Sequence, residues 1–285
     1  MKAEGYIISF MKKILLLICF IFVALFLSQK YFIKQEAQKE FVKAVIATPT
    51  IHVSPILTPT LTPTPTPTPF VLKKASYTIA IFGDSMVDTM GENLEYLQEV
   101  LVKKYPATKF NLYNYGIGGQ NVEQGLSRFE SSFVNRERQY PPLPALVPDV
   151  LIIGSFAYNP FPNHDRNRHY SLLRDLITKA KSVSPNVYLL AEIAPLKIGF
   201  GKGKNGVNME ESVALEHSRH IIEQLDDVIN LSKEANIPLI NVYYESRDEG
   251  SFGNPYLVNI DDGIHPSVAG HDFTAESIVE KIKLD

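Results

Sequence analysis

Apolar residues beyond the N-terminal quarter of this chain fall in short unbroken runs, each closed by a glycine, a proline or a polar turn. Between the runs they recur at helical spacing. The first run reaches from Tyr77 to Phe82 and stops at Gly83-Asp84-Ser85-Met86. Ile79, Ala80, Ile81 and Phe82 follow one another without alternation, which predicts a strand buried on both faces, as in the middle of a parallel sheet. Four further runs read the same way: Phe110 to Tyr115, Val150 to Ile153, Asn186 to Ala191 and Pro238 to Val242. The spacing between them predicts helices over Glu92 to Tyr105, from Asn121 to about Val134, over Tyr170 to Ser182 and over the long stretch Met209 to Asn236. A last helix is expected to begin at Pro266, with proline in the first turn, where its missing amide costs nothing. Strand and helix alternate without an internal repeat, so the expected fold class is α/β. The specific expectation is a three-layer α/β/α sandwich around a five-stranded parallel sheet with right-handed crossovers.

The pattern changes before residue 75. Lys12 and Lys13 precede an apolar or small segment, Ile14 to Ser28, and a further patch, Tyr31 to Ile33. A basic flank followed by an apolar core means a signal peptide or an anchor. The core is short against the roughly 20 residues that cross a bilayer, but no small-x-small cleavage site follows it. We therefore expect an uncleaved membrane-anchor helix at 14–33 behind a short cytoplasmic segment, 1–13, with secretion after cleavage as the alternative. Residues 34–74 then form a linker, and its stretch 48–69 is a threonine-proline tract ending Thr62-Pro63-Thr64-Pro65-Thr66-Pro67-Thr68-Pro69. Proline removes amide donors and fixes φ, so a disordered, extended stalk is expected, at about 3.1 Å per residue. The threonines are candidates for sugar attachment on composition alone. An anchor and a stalk place the domain at 75–285 outside the cytoplasmic membrane.

Composition narrows this little. The chain is 45% hydrophobic and 21% charged with a formal net charge of −3, and it lacks the basic excess of a nucleic-acid binder. Its single cysteine, Cys19, excludes an intrachain disulfide and a four-thiolate zinc site.

The candidate chemistry gathers where the strands end. In an open parallel sheet ligands bind outside the C-terminal ends of the strands, and the loops leaving the five predicted strands all open there. Ser85 is a candidate nucleophile, or else a residue of a plain strand-to-helix turn. Asp262 and His265 lie three apart: an imidazole takes the serine proton and a carboxylate fixes its tautomer, unless the pair is a helix cap and a surface histidine. Gly119 offers an unshielded amide and Asn159 a carboxamide donor for a developing oxyanion; singly, each also reads as an ordinary turn. Ser, Gly, Asn and His thus follow strands one, two, three and five in chain order. No G-x-S-x-G elbow occurs. His217 and His220 are expected on a solvated helix face, His164 and His169 in a polar surface loop, and His271 without a function. The irregular stretch Lys197 to Asn208 is either a rim whose Lys197, Lys202 and Lys204 attract an anionic polymer or a solvated loop.

Four blocks carry a resemblance: GDSM at 83–86, NYGIGG at 114–119, GSFAYNP at 154–160 and DGIHP at 262–266. From about Tyr77 to its end the chain resembles the SGNH, or GDSL-type, hydrolases. The resemblance implies a flavodoxin-like sandwich and a serine esterase that needs no metal or organic cofactor. By position, Ser85 would be nucleophile and, through its own amide, the first oxyanion donor. Gly119 and Asn159 would be the other donors, His265 the base and Asp262 its partner. Asp84, Tyr158, Lys202 and Lys204 are expected to contact substrate. Pro160 stands where many members have aspartate, and the third block is longer than the common form. The expected activity is hydrolysis of small acyl esters such as acetyl groups, carried on glycans, by a membrane-tethered enzyme without a nucleic-acid partner. An O-acyltransferase on envelope glycans, a lysophospholipase-like or lipase-like esterase and a non-catalytic glycan-binding module are the alternatives.

Overall fold

Tyr77 to Phe82 lie inside an eight-residue strand, β1 (Ser76–Gly83), in the computed structural model, which describes residues 72–284. The anchor expected at 14–33 and the stalk expected at 48–69 fall outside the described residues. Among the described residues no helix is long and apolar enough to cross a membrane.

Five strands form one parallel sheet: β1, β2 (Lys109–Gly116), β5 (Val150–Gly154), β6 (Val187–Ala191) and β7 (Leu239–Asn241), in the order β2-β1-β5-β6-β7. Taken alone, the five follow the 2-1-3-4-5 order of flavodoxin-like sheets, whose switch point lies between the first and third strands. Here that is the seam between β1 and β5, where Ile79 stands opposite Val150 and Phe82 opposite Ile153. Every residue of β5 and β6 is buried, as their unbroken apolar runs require. The helices that cover them pack in two groups. α2 (Glu95–Lys104) lies against α8 (Val268–Lys281), while α3 (Val122–Arg128), α5 (Arg166–Val183) and α6 (Glu211–Glu234) pack in succession.

The structure corrects several boundaries. The helix expected from 121 to about 134 stops at Arg128. The chain then forms an antiparallel hairpin, β3 (Phe133–Asn135) and β4 (Arg138–Tyr140). Phe129 and Phe133 share helical spacing and are both buried, but they belong to different elements: Phe129 packs on Phe82, and Phe133 stacks on Tyr140 with ring centres 5.4 Å apart. The last helix begins at Val268, not at Pro266, because Ser267 is its cap and accepts the Gly270 amide at 3.1 Å. Pro266 instead pairs in an isolated bridge with Val258. The helix expected from Tyr170 starts a turn earlier, where Asp165 accepts the Arg168 amide at 2.9 Å. Short elements α4 (Leu143–Leu146), α7 (Val242–Glu245) and a second hairpin, β8 (Arg247–Glu249) with β9 (Phe252–Gly253), had no sequence pattern long enough to announce them.

After β1 the chain turns at once into α1 (Ser85–Asp88), which packs over the end of β2. The approach demands glycine at 116: a Cβ there would stand 2.2 Å from the Asp88 backbone nitrogen. Gly116→Ala must therefore push α1 away from the sheet. We expect a loss of about 1–3 kcal/mol in stability, read as a lower denaturant midpoint at unchanged slope.

Candidate active site

Asp84 links two of the four motif loops. Its carboxylate caps α1 by accepting the Met86 amide at 3.0 Å, and its other oxygen accepts Asn159 Nδ2–H at 2.9 Å. It is fully buried, so it holds the ends of β1 and β5 in register and does not face the cavity. Burial raises its pKa, and the bonds from Met86 and Asn159 offset part of that rise.

The loop carrying Asn159 is fixed from below by Glu192, which is 3% exposed. The Ser155 amide donates to Glu192 Oε1 at 2.9 Å and the Ser155 hydroxyl donates to Oε2. Ser155 Oγ in turn accepts the Ala157 amide at 3.0 Å. The next residue, Phe156, holds φ at 57°, a left-handed conformation costly for an aromatic residue, while its ring packs against Phe82. Burial, with the Asp84 charge adding to it, pushes Glu192 up to about 8.

Asp262 and His265 sit on a loop closed by backbone bonds, Asn259 N–H to His265 O at 2.8 Å and Gly263 N–H to Asn259 O at 2.7 Å. Asp262 Oδ1 accepts the amides of Ile264 and His265 at 2.7 and 2.9 Å, and Oδ2 lies 3.0 Å from His265 Nδ1. Burial pushes the Asp262 carboxyl up, but the bonds from the His265 ring and the two amides outweigh it and leave the pKa lowered. An ionised Asp262 keeps the proton on Nδ1 and leaves Nε2 free to accept one.

Ser85, Gly119, Asn159 and His265 line one cavity of about 610 Å³. Gly119 holds φ at +75°, a conformation that glycine adopts without strain, and lines the cavity without a side chain. Tyr158 also lines the cavity, with its hydroxyl donated to Ile193 O at 2.8 Å. Lys197, Lys202 and Lys204 are not among the residues that line this cavity. Lys202 donates to Met209 O, Lys204 pairs with Asp261 at 3.0 Å and Lys197 pairs with Glu249. The 197–208 loop instead gives the cavity Phe200 and Val207. It is also bonded to the loop of Asp262, through Gly201 N–H to Gly263 O at 3.2 Å and Asn205 N–H to Asp261 O at 2.8 Å.

The histidines divide differently from expectation. His169 is not in a surface loop: it lies buried on α5 with Nε2 2.9 Å from Ser155 O. His217 lines the cavity, and His220 stacks on His164 with ring centres 3.7 Å apart, so neither presents a simply solvated face. His271 is buried and stacks on Tyr96; burial lowers its pKa to about 4. Among the described residues no group of three His, Cys, Asp or Glu is set to hold a metal ion.

Four supporting residues were missed by the sequence reading. Arg128, at the end of α3, donates to Gly83 O and Tyr115 O at 2.8 and 2.9 Å and so ties the ends of β1 and β2 together. Burial lowers its pKa to about 9. Asp88 and Arg138 form a buried ion pair between α1 and the β3–β4 hairpin. Glu192 alone had a legible signal, since it is the one charged residue between Val187 and Leu196.

Residues 81–273 match the model of a family described as GDSL-like Lipase/Acylhydrolase. No curated protein matches. Among solved structures, the acetylxylan esterase Axe2 of Geobacillus stearothermophilus shares 18% identity over 73% of this chain and 95% of its own, with a TM-score of 0.51. The acetyl xylan esterase AlAXEase shares 19% over 72% of this chain and 100% of its own, at 0.52. A GDSL-like lipase of Bacteroides thetaiotaomicron shares 16% over 72% and 86%, at 0.51. At such identities these likenesses are of fold.

The Glu192 shift has a consequence for stability. A carboxyl whose pKa is raised on folding binds more protons in the native state, so stability is full below its ordinary value of 4.5 and is lost as pH rises to about 8. Denaturation midpoints measured across that window should fall with pH in the wild type, and Glu192→Gln should flatten the slope.

Proposed function

The chain belongs to the GDSL-like lipase/acylhydrolase family, and from that premise we propose a tethered, extracytoplasmic serine esterase that removes small acyl groups, acetyl foremost, from glycans. What carries the assignment of residues is one observation: Ser85, Gly119, Asn159 and His265 share a cavity, with Asp262 directly behind the imidazole.

In this reading the Ser85 hydroxyl attacks the ester carbonyl carbon while His265 Nε2 takes its proton. The negative oxygen that forms is met by the amides of Ser85 and Gly119 and by Asn159. One Nδ2–H of Asn159 is committed to Asp84, which orients the carboxamide and leaves the second hydrogen for the oxyanion. Collapse breaks the ester bond, and the departing alcohol takes the proton from His265. Water, deprotonated by the same ring, then cleaves the acyl-Ser85 ester, and the serine oxygen recovers its proton. Asp262 stabilises the imidazolium at both steps and never takes the proton itself.

The substrate class is supported by two of the structural neighbours, named for activity on acetylated xylan, and by a cavity of about 610 Å³, large enough to admit a sugar. The placement outside the membrane is supported by the basic-flanked apolar segment and the threonine-proline tract.

Ser85→Ala should lower kcat/KM for an aryl acetate by at least about 10³-fold, with an unchanged melting temperature and no labelling by an organophosphonate probe. Unchanged turnover removes Ser85 from the mechanism. Asp262→Asn keeps the backbone acceptor but favours the wrong imidazole tautomer. It should lower kcat by about 10²–10⁴-fold with little change in KM. Analysis of products with a sugar acceptor present separates hydrolysis from acyl transfer.

A further inference from the structure

The β3–β4 hairpin brings a cation to the cavity that neither the motifs nor the reaction uses. Its turn residue, Arg136, lines the same cavity as Ser85. The other charged side chains on that lining, histidines aside, reduce to Asp88. Asp88 carries a single negative charge and faces two guanidiniums. Arg138, 4% exposed, donates to its Oδ1, and Arg136 stands 3.6 Å from its Oδ2. Arg138 is also spent elsewhere, donating to Asn114 O at 2.8 Å. One carboxylate and two arginines leave a net positive charge, and the arginine that solvent and substrate can reach is Arg136, whose side chain is 67% exposed.

Arg136 differs from the lysines nearby. Lys197, Lys202 and Lys204 each hold an acceptor of this chain. At 3.6 Å the Arg136–Asp88 contact is an ion pair but is too long for a hydrogen bond. The Arg136 guanidinium makes no hydrogen bond with any described residue, so its planar fork of donors is unfilled. It is also held in place. Asn135 Nδ2–H donates to Asp88 Oδ1 at 3.2 Å and to Gly116 O at 3.0 Å, rooting the turn over α1, whose first residue is Ser85. Arg136 itself keeps φ at 54°. A Cβ built on Gly118 would lie 3.7 Å from both Asp88 Oδ2 and Ser85 Cβ, so the carboxylate that pairs with Arg136 and the candidate nucleophile flank the same glycine.

We propose that Arg136 is an anion subsite of the cavity, and that the substrate is an ester on a sugar bearing a carboxylate. This rests on the esterase reading given above and extends it to the alcohol half of the substrate. A carboxylate there accepts two parallel N–H bonds from the fork and brings the local charge to balance with Asp88 and Arg138. A neutral acetylated sugar leaves the cation unfilled.

The test compares two O-acetylated sugars that differ only at C6, methyl glucuronoside and methyl glucoside, with acetate release by the full-length protein as readout. Wild type should favour the glucuronoside, and added salt should shrink that preference. Arg136→Asn removes the charge while tolerating positive φ; it should reduce the ratio of the two kcat/KM values about tenfold, the scale of a lost charge-assisted hydrogen bond. Arg136→Lys should restore part of it. Equal ratios in wild type and Arg136→Asn, or no turnover of the glucuronoside by wild type, overturn the subsite. Failure of the wild type on phenyl acetate as well would overturn the esterase reading beneath it.

Discussion

The site depends on one buried carboxylate, that of Asp84, which spans the seam between β1 and β5. It ends the first strand, starts the helix that presents Ser85 and holds the carboxamide of Asn159 from the neighbouring strand. A carboxylate at zero exposure is stable only if every charge-assisted bond to it is made. Removing either partner leaves a buried acceptor short of a donor, at about 1–3 kcal/mol or more for a charged group. That penalty couples the two loops, since each bond to Asp84 holds the other's acceptor in place. Arg128 contributes a positive field from the other side of Gly83. Glu192, pushed up to about 8 by burial and then by the Asp84 charge, holds its proton at neutral pH and so spares the floor a second negative charge.

Chemistry explains why residues that the fold brings to one cavity could be picked out as candidates before the fold. An esterase needs an alcohol, an imidazole, a carboxylate and proton donors of fixed types, and the end of a buried strand is where a parallel sheet exposes them. The strand ends could be seen because Tyr77 to Phe82 and Val150 to Ile153 do not alternate. Asp84, expected to contact substrate, stands beside Ser85 in the sequence but is buried and bonded to Met86 and Asn159. The backbone turn reverses that adjacency: the side chain before the helix points down into the sheet while the next one points up. The 197–208 loop shows a related limit. A run of glycines and lysines reads as solvated charge, yet Gly201 and Asn205 bond to the loop of Asp262, and what turns inward is Phe200 and Val207.

The hairpin was illegible for a different reason. Phe129 and Phe133 satisfy the helical period, and only the ring cluster of Tyr115, Phe133 and Tyr140 outbids it. A pattern four residues long cannot separate a last helical turn from a strand that packs on the same core. His169 shows the same limit. Its neighbours Arg166, Asn167 and Arg168 are polar, so nothing local signals that one face of that turn meets Ser155 O.

These two kinds of element divide the cavity's work. The sheet and its buried carboxylates set the reacting geometry through backbone amides and fixed acceptors, which tolerate little change, as the 2.2 Å clearance at Gly116 illustrates. The hairpin is an addition to that frame, attached through Asp88 one turn beyond the candidate nucleophile. A buried pair such as Asp88–Arg138 seldom adds net stability, because desolvation offsets its attraction, but it fixes position, since breaking it strands a charge at a cost of about 3–5 kcal/mol. With Asp88 already neutralised from inside by Arg138, the second arginine adds no stability that a neutral residue could not match. Beyond its long contact with Asp88 its charge faces solvent and whatever enters the cavity, and on the proposal made above that is why the chemistry of the alcohol is to be sought at the hairpin and not in the motif loops.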